Sequence, residues 1–228
     1  MRPKGLLVTI DGPAGAGKST IARLLAQKLG YLYLDTGAMY RAVALAAKRR
    51  GISPEDEEAL TRLCRELDLK LVPRGDGLAV MLDGEDVSEE IRTPEIDRLS
   101  SMVAKVPGVR ECLKERQRAL GEAGGVVAEG RDMGSHVFPD ADLKFFLTAS
   151  PEVRAKRREQ DLRRKGYSVS YEKVLQEILE RDRRDQEREV APLVVPEGAI
   201  LIDTSSLTTE EVLKRLLEEV ERRLSSVS

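Results

Sequence analysis

Short apolar runs alternate along the chain with longer stretches in which apolar residues recur every three or four positions. The short runs have the length of buried strands and lie at residues 6–8, 31–34, 125–128, 143–147 and 199–202. The longer stretches have helical spacing, as in Ile21, Leu24, Leu25 and Leu29. This alternation predicts an α/β fold with a doubly wound parallel sheet wrapped by helices, in which residues 125–128 form the central strand.

Cap residues support the predicted helix ends. Gly30 and Gly51 follow two helical stretches, as glycines at helix C-termini do. Ser150 and Thr208 precede two others, and Thr208 with Glu211 forms the pattern of a capping box. The last helix carries an apolar stripe every four residues, made of Val212, Leu216, Val220 and Leu224.

The pattern changes between residues 53 and 107. An acidic helix is predicted over 54–67. Two strands are predicted at 69–72 and 78–82, and the residues between them include Gly75-Asp76-Gly77, which is typical of a β-hairpin turn. Helix returns over 88–92 and again after Thr93, with Pro94 at its first position. We therefore predict one domain with a core (1–60, 108–150, 172–228), an inserted subdomain with a small antiparallel sheet (about 61–107) and a helical lid (about 151–171).

A glycine-rich loop between the first strand and the first helix has the pattern Gly-x-x-x-x-Gly-Lys-Ser. In that context the pattern is typical of a P-loop, in which bare backbone N–H groups surround phosphate oxygens at a helix N-terminus. Lys18 is expected to reach the terminal phosphates, and Ser19 is the candidate Mg²⁺ ligand. The residues assigned to ATP binding are Gly12, Pro13, Ala14, Gly15, Ala16, Gly17, Lys18, Ser19 and Thr20.

Polar residues follow the second and third predicted core strands. Asp35, Thr36, Tyr40 and Arg41 follow one strand, and a Glu-Gly-Arg-Asp run at 129–132 follows the other. Ligands of open α/β sheets bind at the carboxyl ends of the strands. The sequence therefore predicts a second ligand site beside the P-loop.

Arginines indicate the chemistry. Seven of them lie in segments predicted to face the crevice: Arg41, Arg131, Arg154, Arg157, Arg158, Arg181 and Arg188. Phosphoryl transfer spreads negative charge over oxygens that guanidinium groups can bind in pairs. The chain contains no Asn, so it lacks the Asn-Lys-x-Asp motif by which GTPases commonly select guanine. Each single arginine could instead lie on a solvated helix face.

Composition limits the partners and the location. The 38 Lys and Arg residues nearly balance the 40 Asp and Glu, so we expect no nucleic-acid or membrane partner and a cytoplasmic, monomeric protein. Cys64 and Cys112 are far apart along the chain and predict neither a disulfide framework nor a metal site; both are expected to be buried thiols. His136, the single histidine, is expected to be structural.

Several motifs together closely resemble those of bacterial cytidylate kinases, over nearly the whole chain. They are the P-loop at 12–19, Asp-Thr-Gly-Ala-Met-Tyr-Arg at 35–41, Leu-Asp-Gly-Glu-Asp-Val-Ser at 82–88, Glu-Gly-Arg-Asp-Met-Gly at 129–134, and Arg181 to Asp185 with Arg188. The P-loop is shared by many families, whereas the second and fourth motifs and the hairpin insert are specific to this one. Glu129 and Ser135 depart from the family, which often has Asp and Thr there.

The resemblance implies a role for each candidate residue. Arg41 and Arg131 would bind the acceptor phosphate; Ser101, Arg110, Asp132 and Arg188 would contact the cytosine edge; Arg181 and Asp185 would face the ribose. The insert would close over the nucleoside monophosphate. The helix with Arg154, Arg157 and Arg158 would belong to the lid over ATP, and with Lys18 and Arg131 these three form the predicted catalytic set. Asp35, Thr36 and Tyr40 complete the predicted acceptor site.

The resulting expectation is an enzyme that uses ATP and Mg²⁺ to phosphorylate CMP and dCMP. Two alternatives stay open at this point. One is a P-loop kinase for another small acceptor, such as UMP or a metabolite hydroxyl. The other is a regulator that binds nucleotide without turnover and has no use for Asp132 or Asp185.

Overall fold

A computed structural model describes residues 2–74 and 77–226, and within these ranges the core is a five-stranded parallel sheet. Its strands are β1 (Leu7–Asp11), β2 (Leu32–Asp35), β6 (Val126–Gly130), β7 (Leu143–Thr148) and β8 (Ile200–Asp203), in the order β2-β6-β1-β7-β8. All residues of β1 and β6 are buried, as their unbroken apolar runs predict. The central strand, however, is β1, and β6 is its neighbour, so the prediction that residues 125–128 lie at the centre is wrong.

Helices cover both sides of this sheet. They are α1 (Lys18–Leu29), α2 (Thr36–Arg49), α3 (Glu57–Glu66), α4 (Pro94–Val103), α5 (Pro107–Gly121), α6 (Pro151–Arg164), α7 (Tyr171–Glu187) and α8 (Thr209–Ser225). The predicted caps are present: Ser150 accepts from Val153 N, and Thr208 and Glu211 form a capping box. Val212, Leu216 and Val220 are buried against α1 and β7.

The small antiparallel sheet predicted between residues 53 and 107 is present. Its strands are β3 (Leu69–Arg74), β4 (Gly77–Leu82) and β5 (Glu85–Asp86), with Leu71 opposite Val80. Residues 75 and 76, at the tip of the predicted hairpin, lie outside the described residues. Val80 and Leu82 join the apolar cluster that α2, α3, α4 and α5 share, so this sheet packs directly onto the core.

The helix predicted over residues 88–92 is a single 3-10 turn, Glu90–Arg92. Ser88 instead uses its hydroxyl to accept from Val80 N, which ties the segment to β4. The following helix begins as predicted, with Thr93 as N-cap and Pro94 in its first turn. A five-residue π-helix, Met133–Val137, follows β6 and was not predicted.

Candidate active site

The loop between β1 and α1 has a backbone that only glycine can follow. Gly12 has a φ of 143°, and a Cβ atom on it would lie 1.9 Å from the carbonyl oxygen of Leu147. Gly17, the N-cap of α1, has a φ of 88°. Both angles fall in the region that side chains disfavour. The loop therefore turns tightly over the carboxyl end of β1 and directs the N-terminus of α1 toward the cavity.

Lys18 begins α1 and is almost fully buried. Its ammonium group donates to the carbonyl oxygen of Pro13 at 2.7 Å. Burial, followed by the charge of Arg131, lowers the pKa of Lys18 well below its usual range. Burial removes water from the Lys18 ammonium group, so an anion that approaches this group stabilises its charged form.

Ser19, Tyr33 and Glu129 meet beside the loop. The phenol of Tyr33 donates to Glu129 Oε1 at 2.5 Å, and the Ser19 hydroxyl lies near this carboxylate. Burial, followed by the charge of Asp35, raises the pKa of Glu129. The carboxylate is therefore held next to the candidate Mg²⁺ ligand Ser19.

A second polar cluster surrounds Asp132, which is buried. Its carboxylate accepts from Arg110 and lies 3.9 Å from Arg188 Nη2. The Arg110 guanidinium lies over the Tyr40 ring at 5.4 Å from its centroid, a cation–π distance. The carboxylate has further acceptor capacity, and Arg110 Nε and Arg188 Nη2 are buried with no hydrogen-bond partner within the described residues.

Asp11 fixes the segment that carries Asp132. Its two carboxylate oxygens accept from the backbone N–H groups of Met133 and Gly134 at 2.8 and 2.7 Å. Asp11 is fully buried at the end of β1, and burial raises its pKa to about 6. The central strand thus holds the π-helix and the Asp132 side chain in place.

Arg131 and Asp185 form an ion pair between the two ends of the cavity, with Arg131 Nε 3.0 Å from Asp185 Oδ2. Burial alone would raise the pKa of Asp185, but Arg131, Arg181 and Arg188 hold it below its usual range. Arg181 lies nearby and is half-buried, and its buried Nε has no hydrogen-bond partner in the ranges 2–74 and 77–226. Several guanidinium groups therefore converge on a small volume.

The sequence spacing of Arg181, Asp185 and Arg188 predicts that the three share one helix face. That prediction is wrong for Arg188, because α7 ends at Glu187 and Arg188 is extended. Its Nε donates to the carbonyl oxygen of Ala191 at 2.6 Å. Ala191 has a φ of 52°, an unusual angle for a residue with a side chain. This turn directs Arg188 back toward Asp132.

The end of β2 supplies another part of the cavity wall. Asp35 caps α2 by accepting from Ala38 N, and its other oxygen accepts from Arg41 at 2.8 Å. Thr36 donates to the carbonyl oxygen of Glu129 at 2.6 Å, which joins β2 to β6 at the sheet edge. Arg41 is thereby oriented toward the cavity rather than toward solvent.

Asp97, on α4, connects this cluster to α6. Its carboxylate accepts from Arg158 and lies 3.9 Å from Arg41 Nη1. Burial would raise the pKa of Asp97, but Arg181, Arg158 and Arg41 hold it below its usual range. Asp97 was not predicted as a site residue from the sequence. It lies four residues before the predicted site residue Ser101, and therefore on the same face of α4.

The three arginines predicted on α6 have different surroundings. Arg157 donates to the Thr204 hydroxyl and carbonyl, and Arg158 donates to Asp97. Arg154 is buried behind the loop, where it contacts the carbonyl of Ala14 at 3.1 Å and both oxygens of Asp182. The structure therefore places Arg157 and Arg158 at the cavity wall and Arg154 underneath the loop.

A single cavity of about 840 Å³ joins these clusters. The predicted residues that line it are Ala14, Gly15, Ala16, Gly17, Lys18, Ser19, Thr20, Asp35, Thr36, Tyr40, Arg41, Ser101, Arg110, Arg131, Asp132, Arg157, Arg158, Arg181, Asp185 and Arg188. Gly12, Pro13 and Arg154 do not line it: Gly12 and Pro13 belong to the start of the loop, and Arg154 contacts the loop from behind at Ala14. Lining residues that were not predicted as site residues include Arg92, Asp97, Arg98, Glu129 and Arg184.

The histidine and the cysteines lie elsewhere. His136 is exposed, its Nδ1 is 2.9 Å from the Ser135 hydroxyl, and partial burial lowers its pKa. Cys64 is buried as expected, whereas Cys112 is partly exposed, and their sulfur atoms are 3.1 Å apart. Their separation along the chain gave no indication of this contact.

The described residues contain neither a candidate metal cluster nor a candidate membrane span. In the ranges 2–74 and 77–226, no three His, Cys, Asp or Glu side chains are grouped as ligands of a metal ion. Over the same part of the chain, none of the helices has both the length and the apolar composition needed to cross a membrane.

The fold and the site define a class. A parallel sheet with a glycine loop at its central strand, facing a cavity lined by arginines, is a P-loop kinase. Comparison with known proteins gives the family. The cytidylate kinase family profile matches residues 8–222. The chain therefore belongs to the cytidylate kinase family.

Similar proteins cover almost the whole chain. The cytidylate kinase of Caldanaerobacter subterraneus is 54% identical over 215 residues, which is 94% of each chain. That of Bacillus subtilis is 50% identical over 220 residues, 96% of this chain and 98% of its own. Among solved structures, an uncharacterised protein from Eubacterium ventriosum matches 95% of this chain and 98% of its own with a TM-score of 0.50 and 11% identity, a likeness of fold alone.

Proposed function

We propose that this protein transfers the γ-phosphoryl group of ATP to CMP and dCMP in the presence of Mg²⁺, giving the diphosphates. The observation that carries the proposal is the single cavity that P-loop residues line at one end and the Asp132 cluster at the other. The names of the curated relatives point to the same acceptor. We also propose that the protein acts as a cytoplasmic monomer on small molecules, in keeping with its balanced charge.

The donor end would hold ATP. Backbone N–H groups of the loop and the N-terminus of α1 would surround the phosphates, with Lys18 at the β- and γ-phosphates. Approach of this polyphosphate would offset the desolvation cost of Lys18, whose pKa is lowered by burial. Arg157 and Arg158 line the cavity from α6 and would contact the donor from the lid side. We propose that Arg154 acts indirectly, by holding the loop through Ala14.

The residues present fit Mg²⁺. In kinases this ion is bound by one or two protein oxygens together with phosphates and waters, so a dedicated cluster of carboxylates is not needed. The Ser19 hydroxyl lines the cavity, and the Glu129 carboxylate lies beside it. Mg²⁺ would neutralise charge on the transferred phosphoryl group. Tyr33 orients Glu129 by its hydrogen bond.

The acceptor end would bind the nucleotide by its phosphate, sugar and base. Arg41 and Arg131 would bind the phosphate, Arg181 and Asp185 would face the ribose, and Asp35, Thr36 and Tyr40 would complete the wall. Asp132 would accept from the N4 amino group of cytosine, while Arg110, Arg188 and Ser101 would supply donors to N3 and O2. In the described part of the chain, Ser101 Oγ, Arg110 Nε and Arg188 Nη2 are buried polar atoms without partners, as ligand-facing groups would be.

The reaction needs no general base in this arrangement. A phosphate oxygen of the acceptor is already an anionic nucleophile, so the site must bring two anions together and stabilise the charge of the transferred group. Arg131 lines the cavity and is paired to Asp185, and it would contact both phosphates.

An acceptor panel tests the proposal. Purified protein is incubated with ATP, Mg²⁺ and one of CMP, dCMP, UMP, AMP or shikimate, and the products are separated by chromatography. We expect CDP and dCDP as the dominant products. Uracil presents an oxygen where cytosine has the amino group, so it would face the Asp132 carboxylate unfavourably and react more slowly. Preference for UMP, AMP or shikimate would overturn the choice of acceptor.

A further inference from the structure

The two cysteines form a contact outside the cavity. Cys64 lies on α3 and Cys112 on α5, and their Sγ atoms are 3.1 Å apart. Neither residue lines the cavity of the candidate active site. This pair therefore has no part in the chemistry described above.

Three contacts in a row hold the pair together. A Cβ atom on Gly108 would lie 2.3 Å from Thr61 Oγ1, so the two helix backbones come close there. Four residues further along α5 is Cys112, which meets Cys64, and four further is Arg116, which donates to the carbonyl oxygens of Cys64 and Leu67. Both helices run in the same direction past each other, and the sulfur contact is enclosed by a contact on either side.

The two thiols differ in access and acidity. Cys64 is buried, and burial followed by the hydrogen bond with Cys112 raises the pKa of its thiol far above the usual range. Cys112 is partly exposed, so it is the cysteine of the pair that a reagent from solvent would meet first. Reaction of Cys112 with an oxidant would then place an electrophilic sulfur directly against Cys64.

We propose that Cys64 and Cys112 are a thiol–disulfide modification site, which small-molecule disulfides such as oxidised glutathione close into a Cys64–Cys112 bond. The Cys112 thiolate attacks one sulfur of the reagent, and the first glutathione thiolate leaves. The Cys64 thiolate then attacks Cys112 Sγ, and the second glutathione leaves. Two cysteine thiols are oxidised, one small disulfide is reduced to two thiols, and the two cysteine protons end on the leaving thiols.

The crosslink would join α3, which precedes the small antiparallel sheet in the chain, to α5, which follows it. α3 leads directly into β3, and α5 carries Arg110, which contacts Asp132. The bond would close a loop between positions 48 residues apart, which restricts the unfolded chain. We therefore expect oxidation to raise the Tm by about 5 °C or more.

The experiment treats the full-length protein with oxidised glutathione under native conditions and follows intact mass, free thiols and Tm. We expect the protein to lose the mass of two hydrogen atoms and both free thiols, to stay a single chain, and to return to the starting mass with dithiothreitol. A lasting glutathione adduct on Cys112, a disulfide-linked dimer, or no reaction under these conditions would each overturn the proposal.

Two variants separate the steps. Cys64→Ala is expected to keep a stable glutathione adduct on Cys112, because the resolving thiol is gone. Cys112→Ala is expected to leave Cys64 unmodified, because Cys64 is buried. Rapid modification of Cys64 in the second variant would contradict the order of attack. The wild-type mass measurement decides the proposal without either variant, and it does not depend on which acceptor the enzyme uses.

Discussion

Asp132 is the residue whose chemistry separates cytosine from uracil in this account. Its carboxylate is buried against Arg110 and Arg188, with Tyr40 beneath Arg110. A carboxylate accepts hydrogen bonds and cannot donate them, so it favours the N4 amino group and disfavours a carbonyl oxygen at the same position. Specificity in this cluster thus depends on one acceptor that a hydrogen bond from Arg110 orients, with the Arg188 guanidinium nearby.

Asp132→Asn is predicted to lower the preference for CMP over UMP. An amide can present its NH₂ group to uracil O4 while its oxygen still accepts from Arg110. We expect kcat/KM for CMP to fall about 10- to 100-fold, equivalent to about 1–3 kcal/mol, with a KM for ATP changed only a few-fold. Steady-state kinetics with both acceptors measures the ratio.

Asp203→Asn is the matched control, because Asp203 ends β8 at the same sheet edge but is exposed and outside the cavity. An unchanged CMP-to-UMP ratio in Asp132→Asn, or an equal loss of affinity for ATP and CMP, would place Asp132 away from the base.

Asp11 is predicted to make stability depend on pH. Burial raises the pKa of this carboxyl from 3.8 to about 6 in the folded protein. The fold therefore favours the protonated form: the stabilisation is complete below about pH 4 and is lost as the pH rises through about 6. At about 1.4 kcal/mol per pKa unit, the loss is about 3 kcal/mol.

Urea unfolding of the wild type and Asp11→Asn at several pH values tests this, because the amide does not titrate. The advantage of the wild type over the variant should shrink by about 3 kcal/mol between about pH 4 and about pH 7. An advantage that grows with pH would show that the two N–H donors of Met133 and Gly134 dominate instead.

At the scale of elements, the parallel packing of α3 and α5 supports the part of the cavity that contains Arg110 and Asp132. Gly108 permits the close approach, and Arg116 ties α5 to the C-terminus of α3. α5 also carries Arg110, so its position determines where that guanidinium meets Asp132. The contact between these helices therefore affects the site through the Arg110 side chain.

Gly108→Ala is predicted to destabilise the fold by about 1–3 kcal/mol, because the new Cβ would overlap Thr61. In the Thr61→Ala background the same change should cost far less, since the atoms nearest to the new Cβ are gone. A double-mutant cycle by urea unfolding measures the coupling. Equal costs in both backgrounds would mean that the helices are not in contact there.

The elements that could be predicted from the sequence are those that neighbouring residues in the chain determine. β1 and β6 are unbroken apolar runs, and Thr93, Ser150 and Thr208 cap helices through their own hydroxyls. Features that depend on distant partners were not predictable. Arg154 is held behind the loop by Asp182, and the π-helix after β6 is held by Asp11.

The same distinction applies to the site. The loop was identified because its spacing and neighbouring elements carry the chemistry within a few residues. Asp97 was missed because its partners, Arg41 and Arg158, come from helices far away in the sequence. The strand pattern placed Arg41 and Asp132 at the crevice, whereas Arg110 and the individual roles of all three residues followed from family resemblance.

At the scale of the whole molecule, Asp97 joins the two ends of the cavity. It lies on α4, which follows the small sheet, and pairs with Arg158 of α6 and Arg41 of α2. Arg158 is expected to serve the donor and Arg41 the acceptor phosphate. Because the Asp97 carboxylate contacts both arginines, binding of one substrate would change the affinity for the other.

Asp97→Asn is predicted to weaken the coupling between the substrates. In the wild type we expect CMP to bind several-fold more tightly with a non-hydrolysable ATP analogue present, a coupling of about 1 kcal/mol. The variant should bring this ratio close to one, as measured by titration calorimetry. Glu95→Gln is the control, because Glu95 lies on the same helix but pairs with Lys48 at the surface. An unchanged ratio in a folded Asp97→Asn protein would contradict this role.

One crevice is proposed to bring ATP and CMP together for direct phosphoryl transfer. The most direct measurement follows ATP, Mg²⁺ and CMP with the purified protein by ³¹P NMR and quantifies both products. We expect ADP and CDP in equal amounts from the wild type, and neither product from the Lys18→Ala variant. Nucleotide binding without CDP formation, or ADP accompanied by inorganic phosphate instead of CDP, would contradict this proposal.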